Sequence, residues 1–148
     1  MIETAAAQAQ TPDTLCAGVD MMLKGAAEAP PFRTLRSDPR ISIRGETMAR
    51  PFGLEGAYFC TGVVTPNSGR TGFLCLWRTQ VGMPEASQTI PMRVKACLLP
   101  AGWTATAAEG GGKSSQTFSR SESSVRVTTE SIVSPGLRSD SVFVTLPE

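Results

Sequence analysis

Residues 57–79 read AYFCTGVVTPNSGRTGFLCLWRT, and the reading of this stretch decides the fold. Residues 57–65 and 70–79 are both rich in β-branched and aromatic side chains, as strands are. Pro66-Asn67-Ser68-Gly69 between them carries four of the strongest turn formers. If that loop closes a hairpin, Thr65 faces Arg70, and counting back five residues on each strand sets Cys60 opposite Cys75. Opposed residues of an antiparallel pair stand about 4.5–5.5 Å apart at Cα. A disulfide spans about 4.4–6.8 Å, so the register predicts a Cys60–Cys75 cross-link. It also sets Gly62 opposite Phe73 and Tyr58 opposite Trp77, a small-against-large pair and a ring-against-ring pair.

The remaining cysteines, Cys16 and Cys97, then pair with each other, one of the three connectivities that four cysteines allow. Zinc sites bring their ligands in close pairs such as C-x2-C. Here successive cysteines are 44, 15 and 22 residues apart (16 to 60, 60 to 75, 75 to 97) and no C-x-x-C occurs, which argues against metal and redox motifs. The chain has no histidine, so a papain-type thiol–imidazole pair and a serine–histidine pair are both excluded. A serine nucleophile would need a lysine base, and the choice is Lys24, Lys95 or Lys113. Paired carboxylates such as Glu46 and Glu55 could serve a glycosidase, although nothing in the sequence brings them together.

The chain has 148 residues, is 41% hydrophobic and carries a net charge of +1. This is the size and composition of one folded domain, with no electrostatic case for nucleic acid or an anionic membrane. No apolar run reaches the roughly 18 residues of a membrane span. Ala7-Gln8-Ala9 has the small-x-small form of a signal cleavage site. The expectation is a chain that has lost an export signal and carries an added Met1, with a disordered segment at 1–11 and a single domain over 12–148. Disulfides and export together place it in the periplasm or outside the cell.

Residues 12–29 have the clearest helical pattern. Thr11-Pro12 supplies a cap and an N1 proline, and Leu15, Cys16, Val19, Met22, Leu23, Ala26 and Ala27 line one face. Pro30-Pro31 ends it. Phe32–Leu35 reads as a short extended link, and Ile41-Ser42-Ile43-Arg44 as a strand that runs on toward Met48. Residues 84–99 fit a helix face through Ile90, Val94, Cys97 and Leu98, and a strand by alternation; the reading is helix. Trp103–Thr106 reads as a short strand and Glu109-Gly110-Gly111-Gly112-Lys113 as a mobile loop. Gly110–Ser114 resembles the end of a phosphate-binding loop, but Ala107 stands where the pattern needs glycine.

Further on, Ser134-Pro135-Gly136-Leu137 forms a turn that pairs Val133 with Arg138, Val127 with Val144 and Val125 with Leu146, with Phe118 joining the same apolar face. The predicted class is α+β: an antiparallel sheet with two helices on one face, in the order α-β-β-β-α-β-β-β.

Arginine outnumbers lysine 11 to 3, and Arg33, Arg36, Arg40 and Arg44 fall in one stretch. Arginine's planar fork suits carboxylates and protein interfaces, so these four are the candidate partner-binding residues. A solvated, charge-blunted edge strand is the alternative. Phe32-x-x-Leu35-Arg36, Gly56-Ala57-x-x-Cys60, Cys75, Cys97-Leu98 and Trp103, in this order, resemble small exported four-cysteine bacterial proteins; Ser37 stands where those favour glycine. The resemblance implies export and two disulfides, and no activity. The functional expectation is a non-enzymatic, cofactor-free domain that binds another protein, as an inhibitor, an immunity protein or a subunit of an envelope complex. The alternatives are a small-ligand or glycan binder with an aromatic groove, and a hydrolase without histidine.

Overall fold

The computed structural model describes residues 14–36, 53–54, 56–64, 71–80 and 89–146. Helix α1 spans Thr14–Ala26 and a single helical turn, α2, spans Arg33–Arg36. Strands β1 (Phe59–Val64) and β2 (Thr71–Gln80) follow, then helix α3 (Ile90–Leu98) with a 3-10 turn at Leu99–Ala101. Four strands complete the chain: β3 (Thr104–Gly110), β4 (Lys113–Ser119), β5 (Arg126–Ser134) and β6 (Leu137–Thr145). They form one antiparallel sheet in the order β1-β2-β6-β5-β4-β3. The α+β architecture expected from the sequence is the one observed. The strand expected at 41–48 lies outside the described residues, as do the helix cap at Thr11-Pro12 and the segment 1–11.

The β1–β2 register pairs Cys60 with Cys75 and Gly62 with Phe73, and the Cys60–Cys75 disulfide is formed. Cys16–Cys97 is the second disulfide and joins α1 to α3. The four cysteines are thereby all paired, which places the folded chain in an oxidising environment. Among the described residues no helix is long and apolar enough to cross a membrane. Tyr58 departs from the expected pairing. Its N–H donates to the Leu76 carbonyl at 2.6 Å, and its ring lies 62% exposed, against Arg78 at 4.7 Å and Phe59 at 5.8 Å. Trp77 turns the other way, into the core.

The β5–β6 register matches the turn-based reading: Val133 faces Arg138 and Val127 faces Val144. Following the ladders across, Phe73, Val144, Val127 and Phe118 stand opposite one another on four adjacent strands. All four are buried, and with Cys75, Val142 and Trp77 they form the floor of the core. Leu15, Val19 and Met22 of α1, Leu35 of α2, and Val94 and Leu98 of α3 cover it. Each such aliphatic or aromatic side chain contributes about 1.5–3 kcal/mol by leaving water. Close approach is built in at Gly25, where a Cβ would stand 2.9 Å from Leu35 Cδ1. Gly72 does the same on the opposite face, because a Cβ there would meet Phe143 Cε1 at 2.6 Å and the Val144 carbonyl oxygen at 2.7 Å.

Three local expectations change. Helix α1 stops at Ala26, and the chain turns through Glu28–Phe32: Phe32 takes φ 60° and its N–H reaches the Gly25 carbonyl at 2.7 Å. That reversal makes Phe32–Leu35 a helical turn instead of an extended link, with Leu35 N–H on the Phe32 carbonyl at 3.1 Å. Residues 90–98 are helical, in agreement with the sequence reading: the Thr89 hydroxyl accepts from Met92 N–H and Pro91 occupies the first turn, where it removes no needed donor. The supposed loop at 109–113 is a tight hairpin. Gly111 and Gly112 have φ 62° and 77°, the two left-handed residues of a type I′ turn. They join Gly110 to Lys113 in an unbroken ladder, so no helix follows the lysine and the phosphate-loop reading falls.

Candidate functional site

Strand β3 is one edge of the sheet, and all seven of its residues are exposed. Natural edges are blunted by proline, lysine, bulges or cover. The β3 sequence, Thr-Ala-Thr-Ala-Ala-Glu-Gly, has no proline and no basic residue, and its register with β4 runs without a bulge. In a two-residue hairpin the flanking pair exchanges both backbone hydrogen bonds, and bonded pairs alternate from there. Thr104, Thr106, Ala108 and Gly110 therefore aim their backbone groups at β4, whereas the N–H and C=O of Ala105, Ala107 and Glu109 point outward. The Val133 N–H to Gly112 carbonyl bond at 3.1 Å on the far side of β4 fixes the same parity.

On the helix side, the end of the sheet near the β3–β4 turn is polar. Trp77, Asp140, Ser131, Ser114 and Glu109 stand in one row across five strands. Asp140 is buried and satisfied: Ser131 Oγ donates to Oδ1 at 2.6 Å and Arg138 Nε at 3.2 Å. Its neighbours are less complete. A cavity of about 80 Å³ lies between Pro91 at the start of α3 and the sheet residues Ala107, Glu109, Ser114, Gln116 and Thr129. Thr129 is 1% exposed, yet Thr129 Oγ1 and Gln116 Oε1 have no hydrogen-bond partner. Leaving such a group unpaired costs about 1–3 kcal/mol. Glu109 and Ser114 also border a shallow concavity of about 530 Å³ around the hairpin turn. Two charged pairs nearby are already closed, Lys113 Nζ with Glu130 Oε2 and Arg138 with Asp140, both at 3.2 Å. Among the described residues Glu109 has no ion-pair partner.

A second concavity of about 390 Å³ lies between α1 and the 3-10 turn, floored by the Cys16–Cys97 disulfide, Val19, Leu23, Leu98 and Trp103. Its charged groups are engaged with the protein itself. Lys24 pairs with Asp20 at 3.3 Å. Arg120 covers the Trp103 ring at 4.8 Å and donates to the Ala101 carbonyl at 3.3 Å. Trp103 is 3% exposed, so it offers no open ring face for a sugar to stack on.

Among the sequence candidates, Arg33 sits exposed on α2. Arg36 ends the same turn, and Arg40 and Arg44 lie outside the described residues, as do Glu46 and Glu55. Lys24, Lys95 and Lys113 are all exposed, so none has the burial that would make it a base for a serine. Glu28 has its carboxyl held below its ordinary value, first by the Thr34 hydroxyl and then by the Thr34 N–H at 2.9 Å. The sequence reading found only the start of β3, at 103–106, and missed its run to Gly110, because a strand exposed on both faces shows no alternation of apolar residues; the paired glycines after it were the available signal.

Comparison with protein-family models, with curated proteins and with solved structures finds no match.

Proposed function

We propose that this chain is a non-enzymatic exported domain that binds another protein by accepting one of its strands at the β3 edge. The observation that carries the reading is the edge itself: seven exposed residues, outward amides at Ala105, Ala107 and Glu109, and, among the described residues, no proline, basic side chain or bulge on the strand. Such an edge binds through main-chain hydrogen bonds, with side chains of the added strand alternating between the two faces. One disulfide ties β1 to β2, in the half of the sheet opposite β3, and the other ties α1 to α3; both fit work in the periplasm or outside the cell. Such a role would suit an inhibitor, an immunity protein or a subunit of an envelope complex. The groove beside Trp103 supports the small-ligand alternative less well, because its polar groups are already paired.

A photo-crosslinking residue placed at Ala105 in cells that naturally make the protein tests the reading. One discrete protein adduct is expected, lost when Ala107→Pro removes the central outward N–H while leaving the β4 ladder in place. An adduct indifferent to Ala107→Pro, or none, refutes it.

A further inference from the structure

We infer that the groove between α1 and the 3-10 turn is a second binding site, and that its ligand is a small amphipathic carboxylate, with an aliphatic chain along the groove floor and one negative charge at Arg120. The inference goes beyond the strand-addition reading and does not depend on it. The groove holds about 390 Å³, within the range of roughly 300–1,000 Å³ that small-ligand sites occupy. Its floor is apolar: Val19, Leu23, Leu98 and Trp103, with the Cys16–Cys97 disulfide among them. Leu23 and both cysteines are only half-buried. An aliphatic chain laid over them takes its own surface and theirs out of water together.

The rim selects the charge. It carries Asp20, Lys24 and Arg120, two cations to one anion. Asp20 and Lys24 offset each other across one helical turn at 3.3 Å, which leaves Arg120 as the net charge. Arg120 is held in place without being saturated. Its guanidinium lies 4.8 Å from the centre of the Trp103 ring, and Nη1 donates to the Ala101 carbonyl at 3.3 Å. No carboxylate pairs with it among the described residues. A guanidinium carries several N–H donors in a planar fork, so donors remain for a carboxylate. Because the ring and the carbonyl already fix the side chain, little rotamer freedom is left to lose on binding. Other ligand classes fit less well. A cation meets Arg120 with like charge, an inorganic anion leaves the apolar floor uncovered, and a neutral chain leaves the fork unused. A doubly charged phosphate exceeds the single net positive charge of the rim.

The test titrates the full chain with octanoate, octanol and octylammonium, which share one aliphatic chain and differ in charge, and follows amide chemical shifts. Octanoate is expected to shift the Val19, Leu23, Ala101 and Trp103 amides saturably and to bind about tenfold more tightly than octanol, with octylammonium weaker still. Arg120→Gln should bring octanoate down to the level of octanol and leave octanol binding in place. Should the lost cover over Trp103 unfold that variant, Arg120→Lys keeps a charged side chain with an apolar stem but no planar fork, and should cut the octanoate preference severalfold. Ala101→Phe, at an exposed position that lines the groove, should weaken all three ligands together. Equal binding of octanoate and octanol overturns the inference, as does a preference for octylammonium. Saturable shifts that map elsewhere, or none, overturn the site itself. An octanoate preference undiminished in the Arg120 variants overturns the role of Arg120. None of these outcomes bears on the β3 edge, which the photo-crosslink decides separately.

Discussion

The two disulfides close loops of very different length, and their removal should cost accordingly. Cys16 and Cys97 are 81 residues apart, Cys60 and Cys75 only 15. On the chain-entropy account a cross-link removes conformations from the unfolded chain in proportion to the logarithm of loop length, which gives about 4.5 kcal/mol for the long loop and about 3 kcal/mol for the short one. Replacing each pair with alanine, one pair at a time, isolates the two values. Cys75 is wholly buried, so the short-loop variant also loses some packing, about 1 kcal/mol at most, which narrows the gap without reversing it. Urea unfolding followed by circular dichroism and by tryptophan fluorescence gives both free energies. The matching thermal shifts are about 9–18 °C for Cys16→Ala/Cys97→Ala and about 6–12 °C for Cys60→Ala/Cys75→Ala, before packing is counted. For a domain stabilised by about 5–15 kcal/mol, the first variant should stand near the edge of folding at 37 °C. A larger loss from the Cys60–Cys75 pair would refute the loop-length reasoning. It would show that holding β1 on the sheet matters more than restricting the unfolded chain.

Three further outcomes test the packing and the local electrostatics. Gly72→Ala places a methyl against a backbone carbonyl that cannot move aside, so a loss of about 1–3 kcal/mol is expected in urea melts; an unchanged midpoint would mean that the strand shifts freely. Thr129→Val removes a buried hydroxyl without a partner and should leave stability unchanged or raise it by up to about 1 kcal/mol, whereas a clear loss in a thermal melt would reveal that the hydroxyl is paired in solution. The Glu28 carboxyl is depressed below its ordinary 4.5 by Thr34. Its contribution is therefore present above that pH and lost as pH falls through the lower, folded value. Thr34→Val should flatten this part of the acid limb, and an identical slope in both proteins between neutral pH and the acid transition would contradict the assignment.

Local pairing was legible wherever a turn of definite length joined two strands with a buried side. The spacing of Cys60 and Cys75 about Pro66–Gly69 set the first hairpin, and Ser134–Leu137 set the last, because a one-residue slip in either would turn every apolar side chain to the wrong face. The β3 strand had no such constraint. Its alanines and threonines face solvent on both sides, so no periodicity marks it, and Gly110–Gly112 was read for its flexibility instead of for the left-handed turn that two of those glycines make. The arginine-rich stretch drew attention through composition alone, whereas the exposed edge strand and the unpaired buried oxygens belong to residues of ordinary type on β3, β4 and β5.

By itself the sequence determined the class, the two cross-links, the oxidising environment and the exclusion of histidine chemistry, all of which follow from residue identity and short-range spacing. Only the tertiary structure decided that β2 pairs with β6, which joins the two hairpins into one sheet and leaves β3 as its edge. That pairing joins segments some 60 residues apart, so it depends on how the helices and the apolar row from Phe73 to Phe118 bury one another. The same closure brings Ala107, Gln116 and Thr129 beside Pro91 and strands two polar oxygens under a helix. No one-dimensional pattern records such an arrangement, because it arises from the packing of three separate segments.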